Sequence, residues 1–445
     1  MLPQTPFYQF QGPRIDAVRD RLKAMCYSQV GDPLTVSRSD PTHEHHTAAE
    51  GLRREFKPVE ASPTKPHHWG RMWQQAWWKF TIPEAKDMPR RYLRWHDQAE
   101  ATIFLFDRDH DEWVPHHGLD CGHLFAPLPE NFAGEILIES AVVNTGIWVP
   151  GAVAKVDEQG SRFEGCTLHT RNDAAWHLWI DFDLLIRVMK LLDQQVLPLP
   201  DKPHVGLFHR GEFRRPLDQA PPLLRRMLVL MSEACDALDT QGVAAAREIT
   251  ARLYDELLAA PTEMLVTLTG HAHIDLAWRW PERIADFKAV HTFATASTLM
   301  EQYPEFHFGY SQPASYRAVE KRSPGMLRKV RDKIAGGRWE ANGVMEVESD
   351  TQLPCGEALL RSIELGQQGF RDLTGKDSDV LWLPDVFGYS PCLPQLLQGF
   401  GVPHFFTTKI HWGMGTKFPY SAFRWVGHDG SEVTSFIAWD HYNLE

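Results

Sequence analysis

The chain has 445 residues, 43% of them hydrophobic and 23% charged, which is enough for about three globular domains with ample core. Its 46 basic and 58 acidic residues give a formal net charge of −12, which argues against nucleic acid or an anionic lipid surface as a partner. No stretch approaches the roughly 18 apolar residues of a membrane-spanning helix, and the first residues lack a signal-peptide pattern, so we expect a cytoplasmic location.

The first predicted region, residues 1–66, consists of an amphipathic helix over 14–29 and a polar loop rich in Pro, Ser and His. The loop contains His43, His45 and His46. No carboxylate or histidine spacing around them indicates a closed metal shell. We interpret these histidines as solvated.

Residues 67–180 carry short β-branched or aromatic runs separated by Pro, Gly and Asp, such as 77–82, 101–106 and 135–140. This pattern predicts an all-β domain, a two-sheet sandwich of jelly-roll type. Such a domain would either bind carbohydrate or pack against the rest of the protein. The 16 tryptophans fit both uses, because aromatic faces cover sugars and also fill cores.

Residues 181–261 change to a helical period, with Leu184, Leu185, Val188 and Leu191 on one stripe, and further helices at about 221–240 and 243–260. We predict a helical linker whose leucines form core.

Residues 262–445 alternate strand and helix, which predicts a parallel sheet or barrel whose functional groups gather at the carboxyl ends of the strands. The predicted strands are 264–270, 306–310, 338–342, 379–383 and 403–407, and the predicted helices are 281–303, 313–335, 356–371 and 391–400. Polar side chains follow the strands as expected: His273 and Asp275 the first, Glu346, Glu348 and Asp350 the third, Asp385 the fourth, and Lys409 and His411 the fifth.

The segment 267–281 holds the first candidate site. His271, His273 and Asp275 occupy every second position after an apolar run, so an extended backbone would point all three to one side. Imidazole and carboxylate groups held in this way are ligands for zinc or a similar cation. The alternative, loop histidines satisfied by backbone partners, remains open at this point. The six cysteines form no C-x-x-C pair, so neither a disulfide scaffold nor a cysteine zinc site is indicated.

The segment 381–391 holds the second candidate. Asp385 follows an apolar strand and lies between Pro384 and a Phe-Gly turn, where a carboxylate can act as metal ligand and as nucleophile. The alternative is a helix-capping Asp.

With both motifs in view, the chain resembles the α-mannosidases of glycoside hydrolase family 38, most closely their cytosolic class. The resemblance runs from about residue 262 to the last residue, and more loosely through the region upstream. It is carried by the segments 270–281, 311–313, 336–339, 353–357, 382–390 and 427–433.

This resemblance implies the first part of a (β/α)7 barrel and one zinc ion per chain, or cobalt in its place, bound by His273, Asp275 and Asp385. Asp385 would also be the nucleophile of a retaining hydrolysis of α-linked mannose. Trp278 would stack on the sugar, and Lys409, where some relatives carry an arginine, would contact substrate. The implied partner is a mannose-containing oligosaccharide, and a homo-oligomer is compatible with the sequence.

The family's general acid and its fourth zinc ligand are expected beyond Glu445, so we expect the chain to be the amino-terminal part of a larger enzyme. Asp440 and His441 are weak substitutes for them. Two other functions stay open. One is a zinc-dependent polysaccharide deacetylase, although no H-x-x-x-H helix completes its triad. The other is an inactive carbohydrate-binding or assembly protein.

Overall fold

The structure, a computed structural model, describes residues 8–85, 90–143, 159–194, 221–259, 267–412 and 418–438. The start of the predicted strand 264–270, Asp440, His441 and the side chain of His411 lie outside the described part. Among the helices in these ranges, none has the length and apolar character needed to cross a bilayer.

The chain folds into a mixture of helices and several sheets, as the sequence predicts. The strands before residue 172 are β1 (Tyr27–Val30), β2 (Val36–Ser39), β3 (Phe56–Val59), β4 (His67–Trp69), β5 (Gln75–Ile82), β6 (Tyr92–Asp97), β7 (Glu100–Asp107), β8 (Glu112–Leu119), β9 (Phe125–Pro127), β10 (Gly134–Ala141) and β11 (Ser161–Arg171). The helices before residue 260 are α1 (Tyr8–Met25), α2 (Ala48–Gly51), α3 (Asp173–Gln194), α4 (Pro222–Thr240) and α5 (Val243–Leu258).

Two antiparallel sheets, together called the sheet module, occupy residues 27–171. One sheet has the order β1-β11-β6-β9 with β4 also on β11, and the other has the order β3-β2-β5-β10-β7-β8. The sheets face each other through a shared apolar core. The Trp78 ring of β5 lies 5.1 Å from the Trp95 ring of β6 and 4.6 Å from the Phe163 ring of β11. Aromatic contacts of this kind across both inner faces hold the two layers together.

The segment predicted to be a polar loop contains β2 and β3, so this expectation is wrong, and β1 replaces the end of the predicted helix 14–29. Each of these strands has only four residues, and β1 and β2 pair with the distant strands β11 and β5. A short edge strand carries too few apolar residues to show a period. His43 is exposed, as predicted, but His45 and His46 are more enclosed than a solvated loop would leave them. His45 lies 3.1 Å from the Trp73 carbonyl, and burial lowers the pKa of His45 to about 4.

The helices α1, α3, α4 and α5 share a second core, which includes Ile15 and Leu22 of α1. α1 ends at Met25, earlier than predicted, because Tyr27 already starts β1. α3 begins at Asp173, so the change from strand to helix comes earlier than the predicted boundary at 181.

The region after residue 266 alternates strand and helix in the predicted order. Its strands are β12 (Gly270–His271), β13 (Phe308–Tyr310), β14 (Trp339–Ala341), β15 (Val380–Leu383), β16 (His404–Thr407), β17 (Ala422–Val426) and β18 (Glu432–Ile437). Its helices are α6 (Glu282–Gln302), α7 (Pro313–Arg322), α8 (Pro324–Ala335), α9 (Gly356–Thr374) and α10 (Leu393–Gly399).

The predicted helix 313–335 is two helices, α7 and α8. Pro324 has no N–H for the helix ladder and starts α8 at its first turn, where proline is tolerated. The hydroxyl of Ser323 accepts a hydrogen bond from the Met326 N–H at 3.3 Å and caps the new helix.

The parallel strands form two neighbouring sheets, β12-β13-β14 and β15-β16-β18, and β17 pairs antiparallel with β18. At the junction of the two sheets, the Trp382 N–H donates to the Gly343 carbonyl at 3.4 Å. The Asn342 side chain donates to Asp379 and accepts from the Val380 N–H. No closed barrel forms among the described strands.

The sheet module packs directly onto α6. Glycine at 118, on β8, allows the close approach, because a Cβ there would lie 2.4 Å from Nε2 of His291 on α6. The Gly118 N–H donates to the Thr295 hydroxyl at 3.0 Å. Trp77 and Phe104 of the same sheet join the core beneath α6.

Candidate metal centre

His271 ends β12, and the loop after it presents His273 and Asp275, but the three side chains predicted from the sequence do not all come together. The Nδ1–H of His271 donates to the Gly309 carbonyl at 3.0 Å, and its Nε2 accepts from the Trp382 indole at 3.3 Å. Both ring nitrogens of His271 are therefore used in hydrogen bonds within the fold. The expectation that three side chains converge is wrong for it, because the extended strand β12 ends at His271.

His273, Asp275 and Asp385 do come together, and we call them the metal cluster. Nε2 of His273 lies 3.3 Å from Oδ1 of Asp275 and 3.6 Å from Oδ2 of Asp385. One ligand atom from each residue lies within 4.8 Å of the others. One imidazole nitrogen and two carboxylates form a donor set that suits zinc and leaves room for an exchangeable ligand.

The other ring nitrogen of His273 contacts Glu348. Nδ1 of His273 donates to Oε2 of Glu348, whose other oxygen accepts from the Ser311 hydroxyl. The Glu348 side chain is almost completely buried. The Gln312 amide holds this segment, since its oxygen accepts from the Glu348 N–H at 3.0 Å and its nitrogen donates to the Ile274 carbonyl at 2.8 Å.

Such a carboxylate behind a metal-binding histidine fixes the ring and its tautomer. The sequence signalled Glu348 only through its position after the third predicted strand, which did not assign it a role.

The electrostatics of the metal cluster favour a cation. Burial alone lowers the pKa of His273, but hydrogen bonds with Asp275 and Glu348 raise it to about 10. Three carboxylates, those of Asp275, Glu348 and Asp385, surround this single imidazole. A divalent ion at Nε2 would replace the proton that they attract, because metal ligation requires the deprotonated ring. The residues therefore fit a metal ion.

Asp385 is held from a second side by Lys409. Nζ of Lys409 lies 2.5 Å from Oδ1 of Asp385, and the Lys409 side chain is buried. The Thr408 hydroxyl donates to the Pro384 carbonyl at 2.5 Å, which ties the ends of β15 and β16 together. The link between Thr408 and Pro384 places Lys409 beside the Asp385 carboxylate. The resemblance to family 38 instead predicts that Lys409 contacts the substrate.

Trp278 lies in the same loop as His273 and Asp275, and 42% of it is exposed. Its ring meets the Trp280 ring edge-on at 5.4 Å. The Trp280 indole donates to the Asp275 carbonyl at 3.1 Å, so the aromatic pair is anchored to the backbone of a cluster residue.

Two further predicted polar residues have structural partners. Glu346 pairs with Arg317. Asp350 accepts hydrogen bonds from the N–H groups of Gln352 and Leu353 at 2.7 and 2.8 Å. Neither belongs to the metal cluster.

Comparisons with known proteins show which sequences this chain is similar to. Residues 263–445 match the glycosyl hydrolases family 38 N-terminal domain. Over 424 residues, the chain is 28% identical to Alpha-mannosidase 2C1 of Homo sapiens and 35% identical to Alpha-mannosidase 2C1 of Mus musculus. Each alignment covers 93% of this chain and 38% of the relative. Alpha-mannosidase G of Dictyostelium discoideum is 34% identical over 212 residues, 47% of this chain and 20% of that relative.

Proposed function

Residues 263–445 belong to glycosyl hydrolase family 38, and from this membership we propose that the protein is an α-mannosidase that hydrolyses terminal α-linked mannose with the help of a metal ion. The chain spans 38% of the length of the human and mouse relatives, so the activity of the whole protein is part of the proposal. The proposal also includes zinc as the metal, a mannose-containing oligosaccharide as the substrate and a cytoplasmic location.

The observation that carries the proposal is the convergence of His273, Asp275 and Asp385. His273 and Asp275 follow the end of β12, and Asp385 follows the end of β15. The two strands belong to different sheets and are separated in the chain by several helices and strands. A purely structural role would not require one imidazole to face two carboxylates at distances suited to a cation.

The chemistry assigned to each residue follows from its surroundings. A divalent ion held by the metal cluster would supply Lewis-acid contact to sugar hydroxyls. Asp385 attacks the anomeric carbon, and a bond between its carboxylate and the sugar forms as the aglycone leaves; water later releases the sugar with retained configuration. Lys409 neutralises and orients Asp385 at its Oδ1. Glu348 orients His273, and the exposed ring of Trp278 covers the apolar face of the sugar.

We also propose a finer description of the fold. The two sheets of the sheet module correspond to a jelly-roll-like sandwich, and the parallel sheets correspond to the first part of a (β/α)7 barrel. The shared core of the two antiparallel sheets and the parallel order of β12 to β16 support this description.

The test is hydrolysis of an aryl α-mannoside by the 445-residue chain with added zinc. A nitrophenolate leaves without protonation, so this substrate reports on Asp385 independently of a general acid. We expect release of nitrophenolate that chelation removes and that Asp385→Asn abolishes. The control is Asp372→Asn, at an exposed position on α9, which should behave like the wild type.

Bound zinc without cleavage in the wild-type protein would instead support a carbohydrate-binding protein. Undiminished cleavage by Asp385→Asn would remove this residue from the mechanism.

A further inference from the structure

His271 and Trp382 form a hydrogen bond between the two parallel sheets, and we call them the spanning pair. His271 ends β12, and Trp382 lies in β15. The Trp382 indole N–H donates to Nε2 of His271 at 3.3 Å, and the ring centres lie 5.2 Å apart. The strands β13 and β14 lie between β12 and β15. With about 4.8 Å between neighbouring strands, this contact requires the sheets to curve towards each other.

Each member of the spanning pair is fixed to its own sheet. The Nδ1–H of His271 donates to the Gly309 carbonyl of β13 at 3.0 Å, which leaves Nε2 as the acceptor for the indole. The Trp382 ring stacks on the Phe406 ring of β16, with 3.7 Å between the ring centres and 12° between the planes. The hydrogen bond therefore joins two rings that are already oriented, so it relates the position of one sheet to that of the other.

The spanning pair directly precedes both halves of the metal cluster in the chain. His273 and Asp275 follow His271 by two and four residues. Asp385 follows Trp382 by three residues. Nε2 of His273 and Oδ2 of Asp385 lie 3.6 Å apart, although their strands belong to different sheets. Because ligand distances in a metal site are held within about 0.2 Å, the separation of the sheets has to be fixed at this end of the strands.

The other contacts at this end act on one side only. The Trp382 N–H donates to the Gly343 carbonyl at 3.4 Å, which holds β15 against the end of β14. Glu348, in the loop after β14, accepts from His273 and fixes its ring. Neither contact joins β12 to β15, whereas the spanning pair does.

We propose that His271 and Trp382 are positioning residues that set the distance between the His273 and Asp385 side chains before a metal ion binds. This inference rests on the proposed function, because it takes the metal cluster as the site of the ion. The pair acts through the short segments that lead from it to the ligands. A site formed in advance binds more tightly, because less ordering is left to the binding step.

The test measures the zinc affinity of the 445-residue chain by competition with a chromophoric chelator. Trp382→Phe keeps an aromatic ring on Phe406 and removes the indole N–H. His271→Asn keeps a donor for the Gly309 carbonyl and removes the acceptor Nε2. We expect each variant to bind zinc about tenfold more weakly. The double variant should bind no more weakly than either single one, because both changes remove the same hydrogen bond.

Trp339→Phe is the matched control. The buried Trp339 indole donates to the Tyr316 hydroxyl at 2.8 Å, and this bond joins β14 to α7 without crossing between the two sheets. The control variant should lower the thermal midpoint of the metal-free protein as much as Trp382→Phe does, because each loses one indole hydrogen bond. It should keep the wild-type zinc affinity.

Cobalt gives a second measurement, because its visible absorption depends on the arrangement of its ligands. The spectrum of the bound cobalt should change in Trp382→Phe and in His271→Asn. It should stay the same in Trp339→Phe.

Wild-type zinc affinity and an unchanged cobalt spectrum in both variants of the spanning pair would overturn this inference and leave the proposed function in place. Additive losses in the double variant, or an equal loss of affinity in Trp339→Phe, would also overturn it. Zinc binding that depends on the pair, without cleavage of an aryl α-mannoside, would support the pair and contradict the proposed function. Failure of the wild-type chain to bind zinc or cobalt would count against both proposals.

Discussion

His273 is placed between carboxylates on both of its ring nitrogens. Asp275 and Asp385 face Nε2, and Glu348 accepts from Nδ1. The Nδ1 contact fixes which nitrogen is free to bind a metal ion, and Ser311 in turn fixes Glu348. The imidazole is thereby oriented before any ion arrives.

Replacing Glu348 with Gln should weaken zinc binding by about 10- to 100-fold, because the amide no longer fixes the ring through a charged acceptor. Ser311→Ala should have a smaller effect in the same direction. Zinc affinity measured by competition with a chromophoric chelator checks both. Glu340→Gln, at an exposed position on β14, is the control. An unchanged affinity in Glu348→Gln would show that this contact does not orient the ligand.

The buried histidine His117 of β8 should make the stability of the fold depend on pH. Burial, together with the neighbouring His116 and His291, lowers the pKa of His117 from 6.5 to about 3. The unfolded chain takes up a proton at His117 below pH 6.5, whereas the folded chain does so only near pH 3. Folding stability from this group is therefore complete above pH 6.5 and is lost as the pH falls towards 3.

His117→Asn should flatten the fall of the thermal midpoint between pH 6.5 and 4, measured on metal-free protein. His68→Asn, at an exposed position on β4, should keep the wild-type slope. Parallel curves for the wild type and His117→Asn would contradict the assignment.

Strand ends and residue spacing are local signals, and they mark His271, His273, Asp275 and Asp385 as candidates; the choice of His273, Asp275 and Asp385 as one set comes from the resemblance to family 38. It does not predict the partners of His271, Glu348 or Lys409. Those partners are the Gly309 carbonyl, the His273 ring and the Asp385 carboxylate, and they depend on how separate strands align.

Among the elements, α9 shows how closely a helix can approach a loop. Gly366 of α9 faces the segment after β14, where a Cβ would lie 2.1 Å from the Val344 carbonyl oxygen. Val344 itself has a positive φ of 71°, which a β-branched residue adopts only when its surroundings enforce it. This segment leads directly to Glu348.

Gly366→Ala should therefore destabilise the protein by about 1–3 kcal/mol, because the backbone that it meets cannot move aside. Gly356, at the start of the same helix, has open space around its Cβ position. Gly356→Ala should be neutral or stabilising by roughly 0.5 kcal/mol. Chemical unfolding of the two variants checks the pair. Equal stabilities would mean that α9 does not approach the loop so closely.

The order of elements after residue 266 is predictable from hydrophobic periodicity, and their bounds agree with the structure within a few residues. There are two exceptions. The strand predicted over 264–270 is β12, which begins only at Gly270 among the described residues. The helix predicted over 313–335 divides into α7 and α8, because Pro324 and the Ser323 cap override the helical pattern. The strands β1 and β2 are missed because they pair with residues far along the chain, and β3 is missed because it is a four-residue edge strand beside β2.

In the molecule as a whole, the sheet β3-β2-β5-β10-β7-β8 is buried on both faces. One face meets the other antiparallel sheet, and the other face meets α6 and its neighbours. At this second face, Arg322 of α7 pairs with Glu139 of β10, and only 10% and 1% of the two side chains are exposed. Gln75 also donates to Glu139 at 2.6 Å.

Arg322→Met should cost about 3–5 kcal/mol, because it leaves the Glu139 carboxylate buried without its cation. Adding Glu139→Gln should restore part of that loss. Calorimetry should also show that the sheet module and the parallel sheets unfold in one transition. Two separate transitions in the wild type, or additive losses in the double variant, would contradict this coupling.

The sequence predicts two kinds of sheet but not how they join. The docking of the sheet module on α6 depends on Gly118, Thr295 and the Glu100–Lys288 pair. None of these forms a motif, since each is a contact between residues far apart in the chain.

The most direct test of the proposed mechanism is covalent trapping with 5-fluoro-α-mannosyl fluoride. Fluoride leaves without a general acid, and the ring fluorine slows release of the sugar from the nucleophile. The zinc-loaded 445-residue chain should gain one fluoromannosyl group, and peptide mass spectrometry should locate it on Asp385. A label on another carboxylate, or no label on protein that binds zinc, would contradict the assignment of Asp385 as the nucleophile.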